Sequence, residues 1–186
     1  QFWQLNADIF GVPTVDADLE MISMADAMMK AFGAKSDMYQ IKVNSRKLIN
    51  LIMTSYLELD DMQSKQMIRL FDKKDKLEPT DFVSQASAIL NDEQKVAGLD
   101  KLKVLLKAKT LAELPEEITD TQAVKEIQIL FSLLADHQIE SVRFDITLMR
   151  GFDYYTDIVF EVFDTNPENN RSMFGGGRYD GLVGAF

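Results

Sequence analysis

RGFDYYTDIVFE, Arg150 to Glu161, runs into a stretch where Ile158, Phe160 and Val162 alternate with their neighbours, the two-residue period of a strand. Pro167 to Asn170 supply a turn, and Met173 and Phe174 start a second run that enters GGGRYDGLV, Gly175 to Val183. Upstream, Val142, Phe144, Ile146 and Leu148 alternate in the same way. These segments predict an antiparallel meander. In Met38 to Val43, Tyr39, Ile41 and Val43 predict one more half-buried strand.

The remainder reads as helix. Asp16 can cap a helix in which Leu19, Ile22, Ala25, Met28, Met29 and Phe32 recur at three- and four-residue spacing, with Gly33 suited to its end. From Ser45 to about Lys109 the pattern is helical, broken near Asp60, Lys76 to Thr80, and Asn91 to Asp92, with no strand evident. Thr119 or Thr121 starts another helix carrying Val124, Ile127, Leu130, Phe131 and Leu134 on one face, and Gln138 to Ser141 turn the chain. The class is α+β, with sheet at both ends of the chain and helices between them.

Composition excludes several kinds of chemistry. The 186 residues carry a net charge of −10, which argues against general electrostatic attraction to nucleic acid. Lys73, Lys74 and Lys76, and Lys101, Lys103, Lys107 and Lys109, interleave with Asp72, Asp75 and Asp100 and read as solvated faces. Without cysteine there is neither disulfide nor thiolate metal site, and His137 alone cannot build a histidine-based zinc site or triad, so no metal ligands are assigned. His137 falls at a helix end, where a cation suits the dipole, and the ten methionines read as core filling. No apolar run approaches the ~20 residues that span a bilayer, and no signal-peptide pattern opens the chain. A soluble, cytoplasmic protein is expected, with no membrane partner. Gln1 falls inside an apparent strand and Phe186 directly follows a glycine-rich motif, so the chain reads as an internal piece of a longer one.

RGFDYYTDIVFE and GGGRYDGLV together resemble the two histidine-specific signatures of histidyl-tRNA synthetases, in that family's order. QFWQLNADIFG, Gln1 to Gly11, resembles the strand that closes the family's second class motif and carries part of the amino-acid pocket. The resemblance implies a partial class II synthetase antiparallel sheet with flanking helices plus a helical insertion. Residues 1–45 would be the first part of a catalytic domain, 46–115 the insertion and 116–186 the second part. It also implies a histidine–tRNA ligase that activates L-histidine with ATP, accompanied by Mg2+, to histidyl-adenylate and transfers it to tRNA(His). The full enzyme would be a cytoplasmic homodimer.

Activation brings a carboxylate onto the α-phosphorus of ATP, so cations must offset two repelling anions. An arginine stays charged and can fork onto two oxygens, which makes Arg150 the candidate catalytic residue; the resemblance implies that it contacts the substrate carboxylate and α-phosphate. Choosing histidine requires polar groups for both imidazole nitrogens. The resemblance implies Tyr155 and Asp8 in that role, Gln4 facing the α-amino group, and Tyr154 and Tyr179 lining the pocket. Strand alternation would send Tyr154 and Tyr155 to opposite faces, making one of them mainly structural, and Tyr155 is the favoured ligand. Gly175, Gly176 and Gly177 could admit a close backbone approach, without the spacing of a P-loop. Phe152 and Asp157 depart from the family's commoner leucine and glycine, and Asp157 adds negative charge near a site that must accept ATP.

The family's remaining ATP-gripping arginines, its dimer motif and its anticodon-binding domain would lie outside this chain, so the piece alone is expected to be inactive. Two alternatives share the signatures. One is the histidine-sensing regulatory paralogue of the ATP phosphoribosyltransferase of histidine biosynthesis, and the other is the synthetase-like domain of an amino-acid-starvation kinase. The helical stretch from Ser45 to Lys109 favours the synthetase.

Overall fold

The computed structural model describes residues 4–149, 154–169, 171–181 and 184. Four strands form one sheet in the order β2-β1-β3-β4: β1, Tyr39–Ser45; β2, Val142–Phe144; β3, Ile158–Asp164; and β4, Ser172–Gly177. β1 pairs antiparallel with β3 from Tyr39 opposite Asp164 to Ser45 opposite Ile158. Tyr39, Ile41 and Val43 are fully buried, as their alternation predicts. β3 and β4 form an antiparallel hairpin with an irregularity between Val162 and Phe163.

β2 departs from the expected meander. It pairs parallel to β1, Ile41 opposite Val142 and Val43 opposite Phe144, and it ends at Phe144. Parallel neighbours need a crossover, and the helices between β1 and β2 provide it. Beyond Phe144 a side chain replaces the ladder: the Asn44 amide, itself buried, donates to the carbonyls of Ile146 and Leu148, both at 3.2 Å. Ile146 and Leu148 are therefore buried without belonging to a strand. Residues 4–10 likewise form no strand, since a strand exists only in a ladder and no described strand pairs with them.

Helix α1, Val15–Ala31, starts after Thr14 instead of Asp16; Asp16 lies in its first turn and accepts a bond from the Thr14 hydroxyl. Its other end fits the expectation, with Gly33 at φ 87° donating to the Lys30 carbonyl. Phe32, placed on the apolar face by its spacing, is 87% exposed because it follows the last turn. α1 packs beside α7, Gln122–Asp136, and both lie against β1. Asp26 pins this layer: buried on α1, it accepts the hydroxyls of Tyr39 at 2.5 Å and Ser141 at 2.8 Å and pairs with Lys30 at 2.6 Å.

The intervening helices are α2, Arg46–Leu51, continued by a π-helical turn over Ile52–Tyr56; α3, Asp61–Phe71; α4, Pro79–Ile89; α5, Lys95–Lys107; and the short α6, Glu116–Thr119. Their breaks follow from local chemistry. Asp60 and Gln63 form a reciprocal capping box on α3, and Pro79 opens α4 where no amide hydrogen is needed. Leu48, Ile52, Met53, Met67 and Phe71 join the buried cluster that includes the sheet residues Ile41 and Val43. The methionines divide: Met53, Met67 and Met149 are buried, whereas Met62 is 70% exposed and others border a cleft described below. No helix among the described residues is long and apolar enough to cross a membrane.

Candidate functional site

Glycine makes β4 part of a site. A methyl group on Gly175 would lie 2.3 Å from the Phe160 carbonyl, and one on Gly177 would lie 2.8 Å from the Tyr155 ring. The Tyr155 ring therefore lies directly on the β4 backbone. It stacks with Tyr179, centroids 6.1 Å apart and planes 23° apart, and Tyr179 follows β4 by two residues.

A cleft of about 1030 Å³ opens over this surface. One wall is the segment from Gln4 to Pro13, another is β4 through Asp180 with Tyr155, and the base includes Met21, Met24, Ala25 and Met28 of α1. Gln4, Asp8, Tyr155 and Tyr179 all line it. The Tyr179 hydroxyl donates to the Asp8 carboxylate. That bond, then burial and the charge of Asp8, lifts the Tyr179 phenol above its ordinary value, so the hydroxyl keeps its proton at neutral pH. The Gln4 amide donates to Asn6 Oδ1 at 3.0 Å.

Tyr154 and Tyr155 do not occupy opposite faces of a strand. β3 begins only at Ile158, and in the irregular segment before it the two rings are neighbours, 4.3 Å apart and tilted by 55°. Tyr154 is 58% exposed and lies outside the described lining of the cleft. Arg150, with Gly151, Phe152 and Asp153, lies outside the described residues, as does the turn residue Asn170 and the end of the second motif, Leu182 and Val183.

Asp157 does not leave an open negative charge. It is buried, accepts the Ser45 hydroxyl at 2.8 Å and pairs with Lys47 at 2.5 Å, while Lys47 also meets Glu126 at 3.1 Å. These carboxylates, the Asp157 bond foremost, raise the Lys47 pKa and keep it cationic. A smaller cavity of about 210 Å³ separates this cluster from Asp18 and Arg178.

Arg178 is the residue whose part the sequence did not disclose. Its guanidinium donates to the carbonyls of Val12 at 3.3 Å and Thr14 at 2.6 Å and pairs with Asp18 at 2.7 Å. The partners lie 160 or more residues away in sequence, so no local pattern shows them. Burial pushes the Asp18 carboxyl up further than Arg178 pulls it down. Among the described residues, no group of three or more His, Cys, Asp or Glu is arranged to hold a metal ion.

The profile of the histidyl-tRNA synthetase family matches residues 1–186. The histidine–tRNA ligase of Leptospira biflexa is 35% identical over 188 residues, covering 100% of this chain and 42% of that protein. An ATP phosphoribosyltransferase regulatory subunit from Halothermothrix orenii is 31% identical over 188 residues, covering 98% and 43%. Among solved structures, histidyl-tRNA synthetase from Nostoc sp. PCC 7120 is similar with a TM-score of 0.79 at 22% identity, over 94% of this chain and 42% of that one, a likeness of fold. The chain thus spans less than half the length of these relatives.

Proposed function

This chain belongs to the histidyl-tRNA synthetase family, and from that premise we propose that its cleft is the amino-acid pocket of a histidine–tRNA ligase. The observation that carries the reading is the hydrogen bond from Tyr179 to Asp8 in the wall of one cleft with Gln4 and Tyr155. Asp8 accepts from one imidazole N–H, and the Tyr155 hydroxyl meets the other ring nitrogen. Gln4 faces the α-amino group. A non-polar amino acid bound in the cleft would cover these polar groups and leave them unpaired, and that loss is the source of selectivity.

In the reaction, a histidine carboxylate oxygen forms a bond to the α-phosphorus of ATP as the bond to pyrophosphate breaks. The Arg150 guanidinium offsets the negative charge that accumulates on these oxygens. Histidyl-adenylate then yields its acyl group to a terminal ribose hydroxyl of tRNA(His), and the acyl–phosphate bond breaks to release AMP. Magnesium enters as the companion of the ATP phosphates and is not assigned to side chains of this chain. Residues 46–115 act as a helical insertion between the two catalytic parts, 1–45 and 116–186. The complete enzyme works as a cytoplasmic homodimer, and the 186-residue chain alone does not catalyse pyrophosphate exchange.

The regulatory subunit from Halothermothrix orenii favours a second reading, a histidine-sensing module without ligase activity. Both readings require the pocket. Calorimetric titration with L-histidine tests it, with Tyr155→Phe as the control: saturable binding weakened by the substitution is expected. Binding unaffected by the substitution would remove Tyr155 from the pocket, and its absence would remove the cleft from either reading. Histidine-dependent exchange of pyrophosphate into ATP by the complete protein then separates ligase from sensor.

A further inference from the structure

We propose that Arg178 is the positioning residue of this site, holding the segment that bears Gln4 and Asp8 in register with Tyr155 and Tyr179. The proposal deepens the reading of the cleft as a histidine pocket and rests on it. Three separate peptides carry the candidate ligands: residues 4–8, residue 155 and residue 179. They belong to no common element, and among the described residues no ladder holds residues 4–12. Geometry within about 0.5 Å is what a selective site needs, so a support must fix these peptides against one another.

Arg178 bonds the peptide beside Tyr155, adjoins Tyr179 in the chain, and reaches the backbone at Val12 and Thr14, where the segment bearing Gln4 and Asp8 enters α1. Its amide donates to the Ile158 carbonyl at 2.8 Å, and its carbonyl accepts the amide of Thr156 at 2.7 Å, which fixes the peptide beside Tyr155. The Thr156 hydroxyl bonds Asp180 at 2.9 Å and closes the loop that carries Tyr179. The guanidinium reaches the other way, to the carbonyls of Val12 and Thr14. Asp18 on α1 orients the fork from a third side, and only 11% of the Arg178 side chain is exposed. A planar guanidinium can hold two carbonyls and a carboxylate in a fixed arrangement, which a lysine ammonium cannot reproduce.

The test is backbone 15N relaxation of the 186-residue chain without ligand, followed by L-histidine titration of the same samples. In Arg178→Gln, order parameters for residues 5–12 are expected to fall from about 0.85 to below about 0.6 while β1 and β3 stay unchanged. Histidine affinity should fall about tenfold, and Arg178→Lys should recover only part of it. A segment as rigid as in the unsubstituted chain overturns the proposal. So does loss of order spread equally over β1 and β3, which marks a merely structural role. A segment already mobile in the unsubstituted chain also overturns it. Should Arg178→Gln not fold, Asp18→Asn carries the same relaxation test. Because relaxation is read without histidine, failure of the unsubstituted chain to bind histidine would remove the pocket reading and leave a loosened segment as support for the clamp.

Discussion

The Tyr179 hydroxyl and the Asp8 carboxylate, 171 residues apart in sequence, share a hydrogen bond in the wall of the cleft. Asp8 is an acceptor in this pair, and its remaining lone pairs are available to an imidazole N–H. Replacing the carboxylate by an amide removes the negative charge and leaves one acceptor oxygen to serve both the Tyr179 hydroxyl and that N–H. Asp8→Asn should therefore weaken histidine binding about tenfold or more, and Tyr179→Phe should weaken it less, because the carboxylate stays. Calorimetry on both variants decides the order. Equal losses would mean that Asp8 serves only to hold Tyr179.

Glycine at β4 separates fold from site. A methyl on Gly175 meets the Phe160 carbonyl at 2.3 Å, which is backbone and cannot turn aside, so Gly175→Ala should destabilise the hairpin by at least about 2 kcal/mol. A methyl on Gly177 meets the Tyr155 ring at 2.8 Å and the Ile158 carbonyl at 2.9 Å. Gly177→Ala should therefore displace Tyr155 and reduce histidine binding beyond its effect on stability. On Gly176 the methyl meets only the edge of the Phe160 ring, at 3.1 Å, and this substitution should be the mildest of the three. Thermal melts and histidine titrations rank them, and a Gly175→Ala variant as stable as the unsubstituted chain would sink the argument.

Much of this architecture was legible because it depends on short-range pattern. Tyr39, Ile41 and Val43 alternate whatever lies beside them, and Gly33 ends α1 through its own backbone freedom. What was hidden depends on distant partners. The end of β2 is decided by Asn44, about a hundred residues earlier, whose side chain takes the carbonyls that a neighbouring strand would have taken. Residues 4–10 look like strand but have no described ladder to join. The site divides in the same way. Tyr155 and Tyr179, singled out by their motifs, line the cleft, whereas the contacts of Arg178 with Val12, Thr14 and Asp18 become visible only after the chain has folded.

Asn44 is a place where one deletion orphans several groups. It is fully buried, donates to two carbonyls and accepts the Ser45 amide at 2.9 Å. Asn44→Ala leaves those three backbone groups without their partner and should lower stability by about 2–4 kcal/mol. Chemical denaturation measures this. A loss below about 0.5 kcal/mol would mean that water satisfies the freed groups.

Asp26 and Asp145 set the response to acid. Burial pushes the Asp26 carboxyl up, but bonds from Lys30, Tyr39 and Ser141 outweigh it and hold the carboxyl below its ordinary value. Asp145 is likewise held low, burial being overcome by Lys42 and Thr147. A carboxyl depressed in the folded state contributes stability above its unfolded pKa, near 4, and that contribution is lost as pH falls through the folded value. Asp18, raised chiefly by burial, opposes this slope. The melting temperature should thus hold from neutral pH down to about pH 5 and fall steeply below about pH 4. In Asp26→Asn the melt should start lower at neutral pH and fall less on acidification, since the group that titrates has been removed. Parallel curves for the two proteins would show that Asp26 titrates as it does in the unfolded chain, and the hydrogen bonds from Tyr39 and Ser141 would then contribute nothing to holding its charge.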